Sequence, residues 1–115
     1  MRRAILTACL VAGLASPALA HAFLEAAAPA AGDNLRVSPA VVDLRFSEPL
    51  EPAFSGIEVA SEAGQDVTGG PASVDGAEMK VALKHLAPGR YRVRWHAVSV
   101  DTHRTEGLYN FLVLP

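Results

Sequence analysis

The chain has 115 residues, which suits a single domain, with 10 basic and 12 acidic side chains. Once an N-terminal leader containing Arg2 and Arg3 is removed, two basic residues and no acidic ones are lost, so the formal charge moves from −2 to −4. A mildly acidic domain argues against nucleic acid or an anionic membrane as a partner.

The first 20 residues have the three-part pattern of a secretory signal peptide. Two arginines are followed by an apolar run at 4–14 and a small-x-small cleavage site at 18–20. The run is too short to span a bilayer unaided, although an N-terminal membrane anchor is the alternative interpretation. We expect cleavage after Ala20 and export to the periplasm as a mature domain, residues 21–115. Cys9 is then lost, which excludes disulfides and thiolate metal sites.

Proline and glycine interrupt the mature sequence at short intervals and leave little room for helices. The intervening runs are short, with alternating or β-branched residues, and predict strands near Ala22–Ala27, Ala40–Phe46, Gly56–Ala60, Ala72–Val74, Met79–Leu83, Gly89–Val98 and Glu106–Leu114. About seven short strands with such spacing predict an all-β fold, an antiparallel sandwich or barrel.

Two of these segments alternate with the period of a half-buried strand. In the first, Val42, Leu44 and Phe46 alternate with charged residues. In the second, one face carries Tyr91, Val93, Trp95 and Ala97, and the other carries Arg92, Arg94 and His96. The dipeptides Asp75-Gly76 and Pro88-Gly89 predict turns that join strands.

The most informative residue is His21, which becomes the N-terminus on cleavage after Ala20. A terminal histidine offers its α-amine and its imidazole Nδ1, which together can close a chelate ring on one metal ion. Such neutral nitrogen ligands suit copper(II), which favours a tetragonal set of nitrogen and oxygen donors. The alternative is a chance histidine at a cleavage site.

A second candidate is the turn Asp101-Thr102-His103. It follows the predicted strand that ends near Val98 and precedes the predicted strand that begins near Glu106. A carboxylate and an imidazole two residues apart in a tight turn can converge on one point. Together with His21 they would form a site of three nitrogens and one oxygen. An isolated Asp-x-His is, however, more often a solvated loop with local hydrogen bonds.

Glu48 is a third candidate, at the end of a predicted strand that Pro49 prevents from continuing. It could be a further oxygen ligand, an acceptor for an imidazole N–H, or an exposed acid. His85 and His96 are interpreted as surface residues. Met79 is the only methionine of the mature chain, so no methionine cluster exists for copper(I).

Three blocks of the mature sequence, in matching order and spacing, resemble the CopC family of periplasmic copper-resistance proteins. They are His21-Ala22-Phe23-Leu24 with the following Ala28–Gly32, then Leu44–Pro49, then Gly89–Trp95 with Val98–His103. The resemblance implies an immunoglobulin-like, Greek-key β-sandwich or barrel. It also implies a copper(II) site built from His21, Asp101 and His103, with Glu48 close to the metal.

The leading hypothesis is a periplasmic copper(II) carrier or buffer in copper resistance and homeostasis, not an enzyme, binding one ion per domain. We expect a monomer that passes copper to an inner-membrane CopD-like transporter. One alternative is a histidine-brace oxidase resembling a lytic polysaccharide monooxygenase. It is disfavoured because we expect the aromatic residues of the mature chain to occupy core positions, which leaves no exposed aromatic platform for a polysaccharide. The others are a metal-free structural sandwich and zinc in place of copper.

Overall fold

The structure is a computed structural model that describes residues 22–115, so the predicted signal peptide and His21 lie outside the described residues. The described part contains eight strands: β1 Leu24–Ala28, β2 Asn34–Leu35, β3 Val41–Phe46, β4 Gly56–Ser61, β5 Ser73–Asp75, β6 Glu78–Ala82, β7 Gly89–Val98 and β8 Arg104–Val113. One short 3₁₀ helix, Pro52–Phe54, precedes β4. No helix within residues 22–115 is long and apolar enough to cross a membrane.

The strands form two four-stranded sheets, which confirms the predicted all-β class. The first sheet has the order β1-β3-β6-β5 and the second has the order β2-β8-β7-β4. All pairs are antiparallel except the short β2, which runs parallel to β8. Asp75-Gly76 begins the tight turn between β5 and β6 as predicted, whereas Pro88-Gly89 leads from the first sheet into the second.

Each predicted strand is present; β7 has the predicted bounds, and the ends of the others are shifted by at most two residues. The shift that matters most is at the start of β8, which begins at Arg104 rather than Glu106. Arg104 already pairs with Val98 of β7, and Thr105 pairs with Ala97. β7 and β8 pair without interruption over ten residues each. Consequently His103 immediately precedes a strand, in a turn that the hairpin holds tightly.

The inward faces of β3 and β7 supply much of the core, as their alternation predicts. The buried residues on these faces are Val42, Leu44, Phe46, Tyr91, Val93, Trp95 and Ala97. The Phe46 and Trp95 rings join the two sheets edge to face, with centroids 5.1 Å apart. Trp95 also covers Gly107, where an added Cβ would lie 2.5 Å from the indole. Large side chains therefore fill the space between the sheets up to the end that carries the candidate site.

Candidate metal site

The β7–β8 turn presents Asp101 and His103. Ser99 starts the turn: its carbonyl accepts a hydrogen bond from Thr102 N–H at 2.8 Å, and its N–H donates to His103 O at 3.0 Å. A three-residue turn results, and its last residue, Thr102, has φ of 75°. The left-handed region is usual at this position of such hairpins but is uncommon for a β-branched residue. The backbone of the turn therefore has a defined conformation, closed by the hydrogen bonds of Ser99 and by the left-handed Thr102.

Within this turn the Asp101 and His103 side chains face each other. His103 Nδ1 lies 3.4 Å from Asp101 Oδ2, and the two side chains are 50% and 39% exposed, respectively. The Ser99 hydroxyl donates a short hydrogen bond to the other carboxylate oxygen, Oδ1. The predicted convergence of these two residues is thus found. One nitrogen and one oxygen donor stand side by side at the surface, a pairing that copper(II) accepts.

The same contacts set the charge of the carboxylate. The hydrogen bond from the Ser99 hydroxyl is the main cause that holds the pKa of Asp101 below its ordinary value; desolvation opposes it, and smaller contributions from His103 lower the pKa further. A hydrogen bond to the charged form of a carboxyl group favours that form. Asp101 is therefore an anionic donor well below neutral pH.

The loop that contains Glu48 lies beside this turn. Leu50 and Ser99 form an isolated antiparallel bridge, and Val100 N–H donates to Pro49 O at 3.2 Å. The Glu48 side chain is half-buried. Among the described residues, no hydrogen bond or ion pair joins it to Asp101 or His103. The structure thus places the Glu48 loop at the same end of the sandwich as Asp101 and His103, and the role of Glu48 as a ligand stays a prediction.

The start of the described chain is attached to the same end of the molecule. Ala22 is fully buried, and its carbonyl accepts a hydrogen bond from the Thr105 hydroxyl at 2.8 Å. Phe23 N–H donates to Ser47 Oγ, and Ser47 N–H donates to Phe23 O, both at 2.8 Å. Ala22, which follows His21 in the sequence, is therefore held beside a residue only two positions after His103.

Other candidates lie elsewhere. His85 is exposed in the loop between β6 and β7, at the opposite end of the strands. His96 lies on the outer face of β7 but is half-buried, with its ring over Gly56. Met79 is fully buried in the core. Within residues 22–115, no three side chains of the His, Cys, Asp and Glu types gather closely enough to hold a metal ion.

The surface around the turn is acidic and apolar. The ranges 47–55 and 98–103 contain three acidic residues, Glu48, Glu51 and Asp101, and no lysine or arginine. Phe54 and Val100 are exposed there. Phe23, whose backbone pairs with Ser47, is exposed as well. The prediction that the aromatic residues all occupy core positions is therefore wrong for Phe23 and Phe54, because each lies in a connecting segment outside the alternating strand faces.

Two hydroxyl residues were not identified from the sequence. Ser99 follows the alternating core-facing residues of β7, which are Tyr91, Val93, Trp95 and Ala97. A polar residue at the next core-facing position could have been recognised from the sequence as a residue with a special role. Thr105 had no such signal, because its partner Ala22 lies 83 residues away along the chain.

The β-sandwich fold agrees with the comparisons with known proteins. The CopC domain model matches residues 24–114, and the chain belongs to the CopC family. It is 37% identical to copper resistance protein C of Escherichia coli over 98% of this chain and 97% of that protein. It is 32% identical to copper transport protein CutJ of Bacillus subtilis, over 87% of this chain but only 19% of that longer protein.

A solved structure supports the same assignment. The crystal structure of CopC from Methylosinus trichosporium OB3b matches with a TM-score of 0.77 and 37% sequence identity, over 83% of this chain and 95% of that one. The family includes copper resistance proteins, and its solved structures have the same β-sandwich fold.

Proposed function

We propose that the mature protein is a periplasmic copper(II) carrier or buffer that binds one ion through His21, His103 and Asp101. The observation that supports this most directly is the hydrogen bond from Thr105 to the Ala22 carbonyl. It attaches the residue next to His21 beside the turn that carries the other two donors.

The proposed donor set is the His21 amine, the His21 imidazole, the His103 imidazole and the Asp101 carboxylate. Three neutral nitrogens and one anionic oxygen match the tetragonal preference of copper(II). Glu48 would act as an axial ligand or as an acceptor for an imidazole N–H, a contribution that is smaller than that of an equatorial nitrogen. Because the amine is a donor only after cleavage, the site would form only in the processed protein.

Four donors from the protein favour holding copper over catalysis, since a catalytic metal needs an open coordination position. The acceptor we propose is an inner-membrane CopD-like copper transporter, with the protein itself a monomer. Copper transfer requires the acceptor to approach the turn directly. Phe54 and Val100, both exposed beside the turn, would then be covered in the transfer complex.

The test of the proposed site is a copper(II) titration of the mature protein with electron paramagnetic resonance, comparing three single variants. We expect His103→Ala to weaken binding more than Glu48→Ala, whose cost should be about tenfold to a hundredfold in affinity. His85→Ala is the matched control, because this exposed histidine lies at the opposite end of the strands, and it should bind like the parent protein.

None of the three variants should unfold the apo domain, because no apolar core position is changed. The assignment would be overturned if His103→Ala kept the parent affinity. It would also be overturned if Glu48→Ala lost binding completely while His103→Ala did not.

Copper binding should weaken on acidification. Histidine and an α-amine ordinarily titrate near or above pH 6.5, and both must be neutral to bind metal, so protons compete as the pH falls. The Asp101 carboxylate does not add to this effect near neutral pH, because its pKa is lowered. Between pH 7 and pH 5 we expect the affinity to fall by about a hundredfold or more.

The measurement is a competition titration against a chelator whose own pH dependence is known. His103→Ala, with one competing imidazole fewer, should give a shallower dependence than the parent protein. An affinity that does not change between these two pH values would contradict the donor set.

A further inference from the structure

Ser99 is a buried polar residue that directly follows β7 and continues its core-facing row. It is 1% exposed and is the buried polar residue that accompanies the apolar core in the described part of the chain. Buried hydroxyls are normally hydrogen-bonded, because an unpartnered polar group loses its interactions with water. The position of Ser99 therefore requires an explanation in its contacts.

The described contacts of its hydroxyl lead to the metal-site turn. The hydroxyl donates to Asp101 Oδ1 and lies 3.4 Å from the His103 carbonyl oxygen. The backbone of Ser99 bonds to His103 and Thr102, and Leu50 bridges it from the neighbouring loop. The hydroxyl is thus positioned by a hydrogen-bonded backbone, whereas the carboxylate that accepts its hydrogen bond stands at the surface.

We propose that Ser99 is a positioning residue for copper, whose hydroxyl holds one oxygen of Asp101 so that the other faces His103 Nδ1. The proposal rests on the function proposed above. A carboxylate at the end of an exposed side chain rotates freely about its last bond, and this freedom would be lost on metal binding. With Oδ1 already held, the donor pair is preorganised before the ion arrives.

The first test uses copper(II) alone as the probe, in titrations of Ser99→Ala with electron paramagnetic resonance. Loss of a group that orients a metal ligand should weaken binding by about tenfold to a hundredfold and change the copper hyperfine splitting. Ser99→Thr and Ser99→Val form a matched pair of nearly equal shape that differ in the hydroxyl. The threonine variant should bind more tightly than the valine variant, even if Ser99→Ala is poorly folded.

The second test asks whether Ser99 acts through Asp101. If it does, Ser99→Ala should cost little further affinity in a chain that already carries Asp101→Ala, so the two losses should not add. A purely structural role for Ser99 would give additive losses, and this would overturn the proposal. Equal affinities and spectra for the parent protein, Ser99→Ala and the threonine and valine pair would also overturn it.

The two proposals fail in different ways. If the parent protein binds no copper(II), or if His103→Ala leaves binding unchanged, the proposed function fails. If His103→Ala and Asp101→Ala weaken binding while loss of the Ser99 hydroxyl does not, only the role of Ser99 is refuted.

Discussion

A mature protein that carries one extra alanine ahead of His21 should bind copper(II) orders of magnitude more weakly than the native form. The extension converts the α-amine into a peptide nitrogen and moves the terminal amine away from the imidazole. The chelate ring between the amine and the Nδ1 atom of His21 is then lost, and the His103 and Asp101 donors remain. The measurement is a copper(II) competition titration of both forms.

A suitable control is the same alanine added after Pro115, which leaves the proposed donors unchanged and should bind normally. The unfolding of the apo proteins should also be the same, because Ala22 remains held by Thr105. If the native and N-terminally extended forms bind copper(II) with equal affinity, the amine is not a ligand and the site must be reassigned.

The largest effect on stability is expected for Trp95→Ala, at about 3–5 kcal/mol in the free energy of unfolding. Trp95 is 7% exposed, packs edge to face on Phe46 in the opposite sheet, and covers the backbone of Gly107. Its removal would leave a cavity that the two hydrogen-bonded sheets cannot collapse to fill. Urea unfolding of the apo protein, followed by circular dichroism, gives the free energy.

Leu108→Ala is the matched control for this variant, because Leu108 lies on β8 but is exposed. It should change the free energy of unfolding by less than about 0.5 kcal/mol. A loss below about 1 kcal/mol for Trp95→Ala would mean that the ring is not an essential part of the core.

Much of the fold follows from local patterns. The alternation in β3 and β7 gives both the position and the buried face of these strands, because side chains in a strand point to opposite faces in turn. The two-residue β2 is too short for a period to be visible, and its parallel pairing with β8 depends on distant residues. The exact start of β8 depends on its register with β7, which local patterns do not specify.

The candidate site likewise combines contacts that local sequence predicts with contacts that depend on distant residues. Asp101 and His103 are two residues apart in one turn, so their convergence is a local property and could be predicted. Glu48 reaches the same end only because its loop pairs with the end of β7. The Thr105 hydroxyl meets Ala22 only when the two sheets have assembled, and nothing in the neighbourhood of either residue signals the contact.

The hydrogen bond between Thr105 and Ala22 spans 83 residues of the chain, nearly the whole described length. An ion shared by His21 and His103 would close the same long loop, and so would act as a crosslink between the beginning of the domain and its last hairpin. Ligands that bind only the folded chain stabilise it by mass action. On this arrangement, the full set of donors would form only after leader cleavage and completion of the last hairpin, so a chain still lacking its final strand would bind the metal more weakly than the folded domain.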